Sequence, residues 1–140
     1  MASWNQGIID EFHANEGRVG GYFAGATMLL LHTTGRRTGR EHVTPAVYLP
    51  DGDRWVVIGS KGGAPDDPDW VRNLEENPEA TIEVGTETIP VRATKILREG
   101  PEWKDLYARQ VERRPGFAEY LVKTEGIRRI PVVVLERRSP

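Results

Sequence analysis

Two short stretches carry residue types that could hold an anion. Residues 33–42, TTGRRTGREH, supply hydroxyls, glycine backbone and the guanidinium groups of Arg36, Arg37 and Arg40. Residues 59–65, GSKGGAP, supply the Ser60 hydroxyl, the Lys61 ammonium and the amides of Gly62 and Gly63. Each stretch follows an apolar run with strand character. Glycine lets backbone amides turn toward an anion, arginine binds phosphate or carboxylate through paired N–H groups, and lysine acts as a point charge. Together they suit a phosphate-bearing ligand at one end of a sheet. Taken singly, the arginine-rich stretch reads first as a solvated turn, and Ser60-Lys61-Gly62-Gly63 reads equally well as connection or site.

Other chemistries find little support. The 140-residue chain has no cysteine, which excludes disulfides and thiolate catalysis and fits a cytoplasmic protein. His13, His32 and His42 form neither an HxH nor an HExxH pair, so no metal site is expected. There is no P-loop lysine followed by Ser or Thr, no GxGxxG after a strand and no GxSxG elbow. A net charge of -2, with no aromatic ladder beside the arginines, argues against a nucleic-acid partner. A second basic cluster, Arg128, Arg129, Arg137 and Arg138, lies near the C-terminus. The longest apolar run, Met28 to Leu31, is too short to span a bilayer. Asp10, Glu11 and Glu16 argue against attraction of the first helix to anionic lipid.

The elements that must position these stretches follow from periodicity. The length suggests one domain, 1–140, opening with a helix within 3–16 whose Trp4, Ile8, Ile9 and Phe12 share a face. Gly17, Gly20, Gly21 and Gly25 make an irregular connection to a strand over Thr27–Thr33. The runs Val43–Leu49 and Arg54–Gly59 flank Pro50-Asp51-Gly52-Asp53, a hairpin signal. Pro45 cannot donate to a ladder and marks an edge or a bulge. Asp67 is expected to cap a short helix with Pro68 in its first turn, and Asn77-Pro78 to stop it. On that helix Trp70 reads first as core, and Asn73 as a surface position. A second hairpin turns at Gly85-Thr86. A helix over Pro101–Arg114 and a helical turn around Phe117–Lys123 precede the apolar strand of Ile130–Glu136. Six strands with three or four interspersed helices argue for an α+β protein, a mainly antiparallel sheet closed into a small barrel.

The ordered set GRVGG, TTGRxTG, TP, DGDR, SKGGAP, PxW, NL and NPE runs from Asn15 to Gly85. In that order it resembles the deazaflavin-dependent nitroreductase family, split β-barrel proteins that use coenzyme F420. The resemblance implies that Arg36, Arg37 and Lys61 hold the coenzyme's phosphate and acidic tail, with Thr38 and Gly39 in the same turn. It implies that Pro45, Ala46 and Val47 underlie the deazaflavin ring and that Ile58, Gly59 and Ser60 form the facing strand end. Gly62 and Gly63 complete the loop, and Trp70 and Asn73 border the coenzyme. The family usually has arginine where this chain has His42, which implies tail binding that is weaker or depends on pH. Near the C-terminal helix, where the family carries several tyrosines, this chain has Phe117, Tyr120 and Lys123.

The implied reaction passes a hydride from ring carbon C5 of the reduced deazaflavin to a quinone, enone or nitroaromatic. The coenzyme carries the chemistry and the protein fixes the ring and excludes water. Ser60 is the expected ring contact, and Tyr120 or a solvent proton the expected acid. The rival readings are an FMN-binding split-barrel reductase, with flavin phosphate on the same loops, and a barrel that holds deazaflavin or another small ligand without turnover. Split barrels are often dimers, so a homodimer is expected.

Overall fold

The computed structural model describes residues 2–21 and 27–138, and only the backbone of residues 2–4. The Trp4 side chain and Gly25 therefore lie outside the described residues. Helix α1 spans Ala2–Ala14. Strands β1 (Met28–Thr34), β2 (Glu41–Asp51) and β3 (Arg54–Ile58) follow, then helix α2 (Asp69–Glu76). Strands β4 (Glu79–Val84) and β5 (Glu87–Leu97), helices α3 (Pro101–Arg113) and α4 (Gly116–Thr124), and strand β6 (Val132–Arg137) complete the order. The strands close into a barrel, β1-β2-β3-β6-β5-β4, in which every adjacent pair is antiparallel.

Alternation along the strands builds two cores. Leu29, Leu31, Val57, Ile82, Val91, Val133 and Leu135 point inward, where α2 plugs the barrel with Trp70, Val71 and Leu74. The opposite faces of β3 and β6 bury Val56, Ile58, Val132 and Val134 under Leu106 and Tyr107 of α3 and Phe117 of α4. Strand β6 is thus buried on both faces, which is why it reads as an unbroken apolar run. Helix α1 covers the outer side of β1, with Ile8 and Phe12 packed on Met28 and Leu30. Burying such a side chain stabilises by about 1.5–3 kcal/mol, so α1 is a fixed wall of the molecule. Its last turn is tied across the barrel, since His13 Nε2 and His32 Nε2 lie 2.8 and 2.6 Å from the two carboxylate oxygens of Glu83.

The barrel leaves a split. Strand β2 pairs with β3 only from Tyr48 to Asp51, so Glu41–Val47 have a strand partner on the β1 side alone. Pro45 lies in this stretch, opposite Leu30, and marks an edge; the irregularity in register falls on β5, between Ala93 and Lys95. Another expectation is corrected here. Asp67 does not cap α2: Pro68 is the N-cap residue and no side chain caps the helix. The Asp67 carboxylate instead accepts from Arg128 at 2.9 Å and Arg98 at 3.0 Å. Charge-assisted bonds to two guanidinium groups, one of them largely buried, outcompete neutral helix amides for one carboxylate.

Candidate active site

The split in the barrel is filled from four sides: the β1–β2 turn, the loop after β3, the start of α2, and α4. The loop after β3 is fixed first by its backbone. The Gly59 amide donates to the Pro131 carbonyl at 2.9 Å. A Cβ at Gly59 would lie 2.8 Å from Val71 Cγ2 and 2.9 Å from Pro131 Cγ, so only glycine fits between α2 and the start of β6. Lys61, Gly62 and Gly63 then make one 3₁₀ turn, closed by Gly63 N–H to Ser60 O at 2.9 Å. All three adopt positive φ, and Lys61, at 48°, is a non-glycine residue in left-handed backbone. Such strain persists only where the surroundings impose it.

Arg128 imposes it. Its guanidinium donates to the carbonyls of Ala64 at 2.9 Å, Ser60 at 2.9 Å and Gly59 at 3.2 Å, and to Asp67 at 2.9 Å. With its side chain 10% exposed, it acts as an internal clamp on the whole loop. Spacing gave no sign of this role; the only hint was a basic residue just before the most apolar strand. With its carbonyls taken by Arg128, the loop leaves the Lys61 side chain outward, 3.2 Å from Asp66 in an exposed ion pair.

The β1–β2 turn is organised by Asn73. The Asn73 Oδ1 accepts from the Arg36 amide at 3.2 Å and from an Arg36 guanidinium N–H at 2.9 Å. Its amide nitrogen donates to Thr33 Oγ1 at 3.3 Å. Asn73 is therefore buried and structural, not the surface residue that its helix position first suggests. Arg36 also reaches Asp69 at 3.3 Å and is largely covered, whereas Arg37, Thr38, Gly39 and Arg40 are exposed. Among the described residues Arg37 forms no ion pair. His42 sits at the end of β2 against Gly35, where a Cβ would be 2.7 Å from its Nε2.

Two cavities result, and they adjoin. One, of about 440 Å³, is bordered by Arg36, Arg37, Thr38, His42, Asn73 and Trp70. Its one described carboxylate, Asp69, is already paired with Arg36, so the cavity favours an anion. The other, of about 510 Å³, is walled by Pro45, Ala46 and Val47 on one side and Ile58, Ser60, Lys61 and Gly62 on another. Trp70, Phe117 and Tyr120 close it, the last two in edge-to-face contact at 5.1 Å. Trp70, Thr44 and Asn5 belong to both cavities. Gly39, Gly59 and Gly63 stand behind the lining: Gly39 turns the hairpin, Gly59 packs on α2, and Gly63 backs onto Lys123 of α4, 2.7 Å from a Cβ position. Asn5, on α1, was not singled out in the sequence, because a lone polar residue on an amphipathic helix reads as solvated.

The sequence pattern of the F420H(2)-dependent quinone reductase family matches residues 5–137. The chain belongs to that family. It is accordingly a reductase that depends on reduced F420. An F420H(2)-dependent quinone reductase of Mycobacterium tuberculosis is 37% identical over 129 residues, covering 91% of this chain and 85% of that protein. A solved F420-H2 dependent reductase, FDR-A, superposes with a TM-score of 0.70 at 32% identity, covering 79% of this chain and 94% of that one. A structure described as a domain-swapped dimer gives 0.72 at 28% identity, over 96% and 98% of the two chains. The haem storage protein HutZ of Vibrio cholerae, at 19% identity and a TM-score of 0.61, shares the fold. Among the described residues no helix is long and apolar enough to cross a membrane, and no group of His, Asp and Glu could hold a metal ion.

Proposed function

We infer that the adjoining cavities bind reduced F420 and that the acceptor is a quinone, within a wider class of enones and nitroaromatics. The observation that carries this is that a cationic cavity and a more apolar one share Trp70, Thr44 and Asn5 as lining residues. A flat ring with an anionic tail has this division of chemistry, and the residues present fit it. Pro45, Ala46, Val47 and Ile58 would flank the ring, and Ser60 would offer it a hydroxyl. Arg37 would meet the phosphate and acidic tail from the cationic cavity, with Arg36 held in place for the same task by Asn73, and Lys61 would meet them from the apolar cavity that it lines.

When bound, reduced F420 supplies a hydride from ring carbon C5. The chain's own contribution is to orient and to exclude water. Trp70 and Phe117 wall the apolar cavity, and water that they and a bound ring displace would strengthen the polar contacts inside it. Tyr120 brings a hydroxyl to the lining of the apolar cavity and is the candidate to orient or protonate the reduced acceptor. The domain-swapped relative supports a homodimer for this chain, measurable by light scattering.

The test offers the purified protein F420 and FMN together and then adds a quinone to the reduced complex. Binding of F420, and its oxidation on adding quinone, supports the reading. A yellow FMN complex would favour a flavin reductase, and F420 bound without turnover a carrier.

A further inference from the structure

Helix α1 meets the barrel through one stripe. Asn5, Ile8 and Phe12 stand at i, i+3 and i+7 and so share a face. Ile8 and Phe12 bury that face against Met28 and Leu30. Asn5 is the polar member of the stripe, partly buried one turn earlier, where α1 borders both cavities. Its neighbour Gln6 is exposed and donates to Asp10 at 2.9 Å along the solvent side of the helix. The Asn5 side chain makes no hydrogen bond with a described residue. Asparagine is a poor helix former and is usually placed in a helix to cap or to bond, so its position in this stripe is not owed to the helix.

Thr44 reaches the same place from β2. Strand alternation sets it in one row with Ala46 and Tyr48, which pack toward the barrel interior, and it too lines both cavities. The other hydroxyls and the other side-chain amide of the cationic cavity are engaged within the protein. Asn73 donates to Thr33 Oγ1 and accepts from Arg36, and Thr38 Oγ1 accepts from the Arg40 amide at 3.2 Å. The Thr44 hydroxyl, like the Asn5 amide, has no such partner among the described residues. Where the cationic and apolar cavities share their lining there are thus two neutral groups, each able both to donate and to accept.

We propose that Asn5 and Thr44 hold the ribityl chain of F420, the short run of hydroxyl-bearing carbons that joins its ring to its phosphate. An alcohol group both donates and accepts. An amide or a hydroxyl answers both functions, whereas a guanidinium only donates. With the ring in the apolar cavity and the phosphate beside Arg36 and Arg37, the chain between them falls at the shared lining, where Asn5 and Thr44 stand. Helix α1 is then a binding element as well as a cover for β1. This rests on the reading of the two cavities as the F420 site.

Fluorescence titration of the whole protein tests the assignment without turnover. The ligands are F420, its deazariboflavin fragment, which keeps the ring and ribityl chain but lacks the phosphate, and the same ring bearing a methyl group in place of the chain. Asn5→Ala, at a partly exposed helical position, should not lower Tm, since alanine is the better helix former. It should weaken F420 and the fragment by the same factor, roughly fivefold for one neutral hydrogen bond, and leave the methyl-bearing ring unaffected. Adding Thr44→Val, which keeps the side-chain shape, should widen both losses and again spare the methyl-bearing ring. An N5A protein that binds F420 and the fragment as tightly as the wild type overturns the proposal. So does a loss shared by the methyl-bearing ring, which would put Asn5 against the ring, or a loss confined to F420, which would put it against the tail. A wild-type protein that does not bind F420 overturns the coenzyme reading and the proposal together, whereas wild-type binding that N5A leaves intact overturns the proposal alone.

Discussion

Replacing Arg128 with methionine keeps the bulk of the side chain and removes the clamp on the loop after β3. Four acceptors are lost together: three loop carbonyls and one oxygen of Asp67. A hydrogen bond to a charged group contributes about 1.5–3 kcal/mol. The four share one fork, so their contributions do not add, and Asp67 keeps Arg98. Water can reach some of the freed carbonyls at the loop surface. A total loss of about 3 kcal/mol follows, a fall in Tm of about 9 °C for a chain of this length. Arg128 lines neither cavity, so its influence on coenzyme binding passes through Ser60 and Lys61. The Kd for F420 should rise roughly tenfold to a hundredfold, or about 1.4–2.8 kcal/mol, while kcat at saturation holds. Arg128→Lys keeps the charge without the planar fork and should recover part of both losses. Thermal melts and fluorescence titration read the two effects separately. An unchanged Tm with unchanged Kd, or a loss confined to kcat, would refute the clamp.

Lys61→Ala should weaken F420 binding by about 1–3 kcal/mol and hardly move Tm, because its ion pair with Asp66 is exposed on both sides; unaltered affinity in a titration removes Lys61 from the site. Gly59→Ala drives a methyl into Val71 and Pro131 and should cost about 1–3 kcal/mol as overpacking, seen as a lower denaturant midpoint. Burial pushes the Glu83 carboxyl up, and the hydrogen bonds and charges of His32 and His13 outweigh it, leaving the group below the ordinary glutamate range. A carboxyl lowered in the folded state stabilises above its unfolded pKa and ceases to as pH falls through its folded value. The stability gap between wild type and Glu83→Gln should therefore be present at neutral pH and shrink below about pH 4; a gap independent of pH over that range contradicts the assignment.

The strands and turns were legible because their signals are local. Alternation, the Pro50-Asp51-Gly52-Asp53 turn and Gly85-Thr86 needed only neighbours in sequence, and β6 declared its double burial by being apolar throughout. The loops that border the cavities stood out only as an ordered set, since each taken singly reads as well as a solvated turn or a plain connection. What escaped was every interaction that joins distant segments. Asp67 followed the local capping rule on paper, yet Arg98 and Arg128, far along the chain, take its carboxylate. Asn73 looked like a surface residue because nothing near it in sequence shows that Thr33 and Arg36 meet it across the barrel mouth. The His13–Glu83–His32 tie and the place of Asn5 on the cavities depend likewise on where α1 lands.

The central claim is that the paired cavities hold reduced F420 for transfer to a quinone. Its most direct measurement follows the absorbance of F420 after the purified protein, charged with reduced coenzyme, is mixed with 1,4-naphthoquinone. Reappearance of oxidised F420, at a rate that saturates with both coenzyme and quinone and falls in Lys61→Ala through a higher KM for coenzyme, is the predicted result. A protein that takes up FMN in preference, or leaves reduced F420 unoxidised in the presence of quinone, would contradict it.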